Sequence, residues 1–175
     1  MIEFKIIDEE HKLDINLANE PFPLIGKLAL SYQNETFSYE IKLNKREDIK
    51  EMIFPDEEYN FDAMKDFTFI AAYDEDKCIA LCVLEPGNFK YMHLYDLKVN
   101  SKYRKHGVAK NLIEKAKEVA LTKGYKGIYT EAQDNNLGAC LFYLKSGFII
   151  GGIDTKIYSF TPQENKKDII FYLDI

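Results

Sequence analysis

Between two apolar runs the chain reads Arg104-Lys105-His106-Gly107-Val108-Ala109, and the reading of the fold starts from that hexapeptide. Before it, Tyr91 to Val99 has the composition of a strand. After it, Val108, Leu112, Ile113, Ala116, Val119 and Ala120 recur at helical spacing between Gly107 and Lys123. Gly124 stands where a helix end needs a residue tolerant of left-handed geometry, and Ile128 to Ala132 reads as the next strand. Strand, helix, strand at this loop length is a right-handed crossover, which makes the two strands parallel neighbours in one sheet. A strand that feeds a glycine-bearing turn opening a helix leaves backbone N–H groups pointing outward, with the positive end of the helix dipole behind them. The turn is therefore a candidate phosphate cradle, and an ordinary turn with a basic rim is the other reading of the same local pattern. Gly107 and the small Ala109 let backbone approach a diphosphate closely. No Gly-x-x-x-x-Gly-Lys-Ser/Thr loop and no Gly-x-Gly-x-x-Gly is present, which argues against a nucleotide triphosphatase or a Rossmann dehydrogenase.

Working outward, Phe67 to Tyr73 and Cys78 to Leu84 are apolar runs joined by Asp74, Glu75, Asp76 and Lys77, a hairpin-length connection. Pro86, Gly87 and Asn88 mark a second turn, so these two runs and Tyr91 to Val99 form an antiparallel meander. Glu35 to Leu43 alternates with Phe37, Tyr39 and Ile41 on one face and reads as a strand. Arg46 to Phe54 reads as a short helix, with Ile49, Met52 and Ile53 on one side. A second helix follows Gln133, Asp134, Asn135 and Asn136, with Leu137, Cys140, Leu141 and Leu144 on its stripe and Gly147 at its end. Phe148 to Ile150, Thr155 to Phe160 and Ile169 to Leu173 supply the last strands. With no repeat and no linker, the expectation is one α+β domain over 1–175, built on a mixed, mostly antiparallel sheet with a central parallel pair and flanking helices.

The 175 residues carry a net charge of -6, which speaks against nucleic-acid binding by phosphate neutralisation and suits a cationic partner. Lys102, Arg104, Lys105, Lys110, Lys115, Lys117, Lys123 and Lys126 nevertheless fall in one stretch with only Glu114 and Glu118. Asp56, Glu57, Glu58, Asp62 and Asp66 form the acidic counterpart. No stretch approaches the roughly 18 to 20 apolar residues of a membrane span, and the N-terminus shows no signal-peptide pattern. Cys78, Cys82 and Cys140 lie in apolar runs without metal-ligand spacing, so no metal is expected and the thiols suit a reducing, cytoplasmic setting.

Arg104-x-x-Gly107-x-Ala109 resembles the acetyl-CoA signature of the GNAT superfamily of acetyltransferases, and Asn136-x-x-Ala139-x-x-x-Tyr143 followed by Gly147-Phe148 resembles its second helix. The resemblance implies that backbone N–H groups of Lys105, His106, Gly107, Val108, Ala109 and Lys110 hold the diphosphate of acetyl-CoA, with Arg104 and Lys105 adding charge at its edge. Leu97 and Val99 would pair their main chain with the pantetheine arm. Tyr143 stands where the family donates a proton to the leaving thiolate, and Asn136 would contact the cofactor or cap its helix. For the base that deprotonates the amine, Glu131 is the first candidate, His93 and Asp96 are rivals, and a water chain is an alternative.

Glu131, Gln133, Asp134, Asn135, Asn136, Ala139, Cys140, Phe142, Tyr143, Gly152, Asp154 and Tyr158 resemble the streptothricin acetyltransferases in particular. Glu20-Pro21-Phe22, Ile25-Gly26-Lys27 and Phe171-Tyr172-Leu173 do as well. The implied reaction moves acetyl to an amino group of the antibiotic's β-lysine part. One departure stands out: where that branch carries an acid just before Asp96, this chain has Tyr95. The alternatives are a GNAT enzyme acting on a polyamine, amino acid or protein amine, or a non-catalytic acyl-CoA-binding module. The expected partner is a small cationic amine, with neither nucleic acid nor membrane, and a homodimer through the C-terminal strands is expected.

Overall fold

The computed structural model describes all residues 1–175. Eleven strands and two helices follow in chain order: β1 (Ile2–Ile6), β2 (Phe22–Pro23), β3 (Gly26–Gln33), β4 (Thr36–Leu43), β5 (Glu51–Met52), β6 (Thr68–Asp74), β7 (Lys77–Glu85), β8 (Tyr91–Val99), α1 (Val108–Thr122), β9 (Gly127–Gln133), α2 (Leu137–Lys145), β10 (Ile149–Asp154) and β11 (Asp168–Asp174). Seven strands hydrogen-bond in the order β1-β6-β7-β8-β9-β11-β10, and the pairing of β8 with β9 is the parallel one. The architecture is α+β, as the sequence implies. No helix is long and apolar enough to cross a membrane.

The chain divides into two compact units: Met1–Glu20 with Ile53–Tyr129 and Asp174–Ile175, and Pro21–Met52 with Thr130–Leu173. In the first, β6 and β7 are apolar along nearly their whole length because both of their faces are covered. Phe69, Ala71, Tyr73, Leu81 and Val83 pack under Ile7, Ile15 and Tyr59, while α1 lies against β6, β7 and β8. Five of the six stripe positions that the periodicity predicts on α1 are buried, Val108, Leu112, Ile113, Ala116 and Ala120, while Val119 is only half-buried. Gly124 is left-handed at φ 84°, as a helix C-terminus requires. Cys78, Cys82 and Cys140 are buried free thiols, and burial pushes Cys78 up to about 11 and Cys140 up to about 12, so both stay protonated and inert.

In the second unit β3 and β4 form a two-stranded ribbon in register from Gly26↔Leu43 to Gln33↔Thr36. The β4 face of Phe37, Tyr39 and Ile41 is not a core face, since Tyr39 and Ile41 are exposed. Two sequence expectations are corrected here. Arg46 to Phe54 is no helix: Arg46–Asp48 is a single 3-10 turn and Glu51–Met52 pairs with Phe22–Pro23. Thr155 to Phe160 is no strand, because Asp154 accepts the N–H groups of Lys156 and Ile157 at 2.7 and 2.9 Å and folds the chain into turns. The buried row of α2 is Leu137, Cys140 and Tyr143; Leu141 and Leu144 are only half-buried.

Candidate active site

β8 ends at Val99, and the 3-10 turn Ser101–Tyr103 leads into the hexapeptide. Lys105 at φ 65° and Gly107 at φ 82° are both left-handed, so consecutive amides swing toward one side as in an anion-binding nest. Gly107 is the N-cap of α1, supplies no side chain to its first amides, and is followed by no acid in the first turn. The first intrahelical bond runs from Asn111 N–H to Gly107 O at 3.1 Å, which leaves the amides of Val108, Ala109 and Lys110 ahead of the ladder. A Cβ placed on Gly107 meets nothing within 4 Å, so the space in front of these donors is open. Lys105, His106 and Lys110 are exposed around it, and buried Val108 pins the helix start to the core. Donors, field and room together fit the diphosphate of acetyl-CoA.

Arg104 is turned back onto the strand. Its Nε donates to Val99 O at 2.9 Å and its Nη2 lies 3.6 Å from the Glu20 carboxylate. Glu20 also accepts the Ser101 N–H, so one carboxylate braces the turn from both ends. The partner is 84 positions away in sequence, and nothing local in the sequence marks it.

Along β8 the main-chain groups alternate between its two edges. Asn100 N–H donates to Ile79 O on the β7 side at 2.9 Å, which puts Lys98 on that side too and turns Leu97 and Val99 away from β7. Leu97 thus presents N–H and C=O off the ladder, as a pantetheine arm requires, whereas Val99 O is already taken by Arg104. The parallel ladder with β9 ends at His93↔Tyr129. Two residues further on, a bulge makes Tyr95 the extra residue of β8, since Val83 faces Asp96 and Leu84 faces Leu94.

The rival bases lie beside that bulge. His93 Nδ1 is 2.6 Å from Glu85 Oε1, and its ring stacks on Tyr129 at 4.5 Å between centroids. Asp96 is committed elsewhere: it accepts from Tyr59 OH at 2.9 Å and pairs with Lys98 at 3.0 Å. Tyr95 OH donates to Glu57 Oε1 at 2.6 Å, and that bond is the first cause of a phenol pushed up to about 12. That bond brings the Glu57 carboxylate of the acidic segment to the tip of the Tyr95 side chain. Of that segment, Asp56 also binds the backbone, accepting Asn19 N–H at 2.6 Å.

In the second unit Glu131 is an exposed residue of β9, flanked by buried Thr130 and Ala132. Asn136 caps α2 by accepting Ala139 N–H at 3.3 Å. Tyr143, 7 % exposed, sits among the rings of Phe142, Phe148 and Phe171 at 5.4, 5.2 and 5.5 Å. Of the branch-specific residues, Gln133 and Tyr158 meet in one network: Gln133 Nε2 donates to Tyr158 OH at 2.9 Å, and Tyr158 OH donates to Asp168 at 2.8 Å. Asp168 has no motif around it and escaped the sequence reading.

Comparison with known proteins agrees with this geometry. The sequence profile of the Acetyltransferase (GNAT) family matches residues 32–148. Streptothricin acetyltransferase A of Bacillus subtilis (strain 168) is 31% identical over 159 residues, 91% of this chain and 92% of its own. A streptothricin acetyltransferase of Escherichia coli is 42% identical over 74 residues, 42% of each chain. Among solved structures, a Bacillus anthracis protein assigned as a streptothricin acetyltransferase, in complex with acetyl coenzyme A, superposes with a TM-score of 0.89 at 26% identity over 100% of both chains. The profile match over most of the chain and the relative aligned along nearly its whole length lead to one statement: the chain belongs to the acetyltransferase (GNAT) family.

Proposed function

We propose that the chain transfers acetyl from acetyl-CoA to a primary amine of a small polycationic acceptor, with streptothricin the acceptor to test first. The observation that carries the reading is the uncapped, left-handed turn at Lys105–Gly107 opening α1, with free space before it. The relatives named for streptothricin supply the acceptor.

Acetyl-CoA supplies a thioester carbonyl that a neutral amine attacks. The amides of Lys105 to Lys110 hold its diphosphate, Lys105 adds charge at the rim, and Arg104 keeps the turn in shape. Leu97 offers N–H and C=O to the pantetheine arm, while Val99 has only its N–H to give. Asn136 spends only its Oδ1 on the helix cap, so its amide donors serve the cofactor. Tyr143 gives its phenolic proton to the departing sulfur. Glu131 takes the proton of the substrate ammonium. The 2.6 Å contact of His93 Nδ1 with the Glu85 carboxylate favours a second reading, in which His93 does so with a carboxylate behind it. The two are separated by substitution: Glu131→Gln is expected to lower kcat with acetyl-CoA affinity unchanged, by far more than His93→Gln does. The reverse result moves the base to His93.

The acidic segment guides the acceptor. Replacing Asp56, Glu57 and Glu58 together by their amides is expected to raise the KM of a cationic amine and flatten its dependence on salt, since exposed charges are screened over about 10 Å at 0.1 M. Acetyl-CoA affinity should stay where it was; equal salt slopes in parent and variant would remove this segment from recognition. A homodimer would pair along β10, the edge strand at the C-terminal end of the sheet, where Ile149 is 63% exposed.

A further inference from the structure

Lys105 is a non-glycine residue at φ 65°, a strained conformation that persists only where the surroundings over-determine it. It stands between two clamped segments. On its C-terminal side, buried Val108 fixes the first turn of α1 to the core. On its N-terminal side, the 3-10 turn Ser101–Tyr103 is closed by Tyr103 N–H to Asn100 O at 2.8 Å and by Arg104 N–H to Ser101 O at 3.3 Å. Two carboxylates from distant parts of the sequence hold that turn from outside. Glu20 accepts the Ser101 N–H and lies 3.6 Å from Arg104 Nη2, while Arg104 Nε is tied to Val99 O at 2.9 Å. Asp74, the last residue of β6, accepts from Tyr103 OH at 2.7 Å. Ser101, Tyr103 and Arg104 are thus each fixed directly ahead of the left-handed lysine.

The charge of these two groups runs against the use of the turn. A carboxylate beside a diphosphate site repels the ligand, so its removal, on electrostatic grounds alone, tightens binding. Their hydrogen bonds act in the opposite sense, because a nest whose donors already converge needs no ordering when the ligand arrives. An acceptor oxygen is all that the Ser101 N–H requires, and an uncharged amide can supply one. Charge and shape therefore predict opposite signs for the loss of Glu20.

We propose that Glu20 and Asp74 are positioning residues for acetyl-CoA: they hold the turn so that Lys105 stays left-handed and the amides up to Lys110 converge before the cofactor binds. They act through Ser101, Tyr103 and Arg104, and the gain from a preformed nest exceeds the repulsion of the two carboxylates. The role rests on the diphosphate lying at the turn, as proposed above.

The test is calorimetric titration of the full chain with acetyl-CoA, with a melting curve for each variant. Glu20→Ala removes charge and acceptor together, whereas Glu20→Gln removes the charge and keeps an oxygen for the Ser101 N–H. Glu20→Ala is expected to weaken acetyl-CoA about tenfold or more, and Glu20→Gln to bind it as tightly as the parent or tighter. Tyr103→Phe deletes one hydroxyl and leaves every charge in place, so it is expected to weaken acetyl-CoA about threefold or more. A folded Glu20→Ala that binds as tightly as the parent or tighter overturns the positioning role, as does a Glu20→Gln as weak as Glu20→Ala. If Glu20→Ala fails to fold, parent affinity in Tyr103→Phe overturns it. Loss of binding in Gly107→Glu beside unchanged binding in Glu20→Ala removes the positioning role alone. Parent affinity in Gly107→Glu removes the turn from the cofactor site and the positioning role with it.

Discussion

Acetyl-CoA binding is expected to fall below detection in Gly107→Glu while the protein keeps its fold. A side chain at this position points into open space, so the protein itself has nothing to move aside. Its only clash is with the ligand: a carboxylate would stand where the amides of Val108, Ala109 and Lys110 and the positive end of the α1 dipole receive a diphosphate. The backbone there is left-handed, and any L-residue loses about 1–2 kcal/mol. Gly107→Asn carries that strain without the charge, and asparagine tolerates left-handed geometry best. It is expected to retain acetyl-CoA binding within about tenfold, a difference of about 1.4 kcal/mol. Calorimetry on both variants, with a melting curve for each, decides the matter. Unchanged affinity in a folded Gly107→Glu would remove the turn from the cofactor site.

Tyr143→Phe is expected to lower kcat by about 10²- to 10⁴-fold, the usual worth of general acid help, with acetyl-CoA affinity unchanged. The proton is needed only as the carbon–sulfur bond breaks, so its loss weighs on the transition state and not on binding. Phenylalanine preserves the ring contacts with Phe142, Phe148 and Phe171, which separates the hydroxyl from the packing. Parent-like turnover across the pH range would make Tyr143 a core residue and nothing more.

The parts of the fold legible in the sequence are those whose signal is local. The meander of β6, β7 and β8 is bounded by turns that name themselves, and α1 carries its buried stripe and its glycine punctuation within one stretch. The turn at Gly107 is legible for the same reason. What escaped depends on partners far away. β3 is a strand because β4 lies beside it, and its own alternation ends in the exposed Ser31, Tyr32 and Gln33. Glu51 and Met52 pair with Phe22 and Pro23, which overrides the weak helical spacing of Ile49, Met52 and Ile53. Thr155 to Phe160 has strand composition, yet one carboxylate, that of Asp154, captures two amides and bends it. Of the proposed site, the turn at Gly107 was readable as a motif. The brace from Glu20 to Arg104, the delivery of Glu57 to Tyr95 and the part of Asp168 are contacts across 84, 38 and 10 positions, and no spacing rule reaches them.

The most direct measurement is release of CoA thiol from acetyl-CoA with streptothricin as acceptor, followed from about pH 6 to pH 9 and at rising ionic strength. One thiol is expected per acetyl group transferred, with kcat/KM falling as salt screens the acidic surface from the polycation. Normal binding of acetyl-CoA with no acetylation of streptothricin at any pH in that range would contradict the assignment of the acceptor.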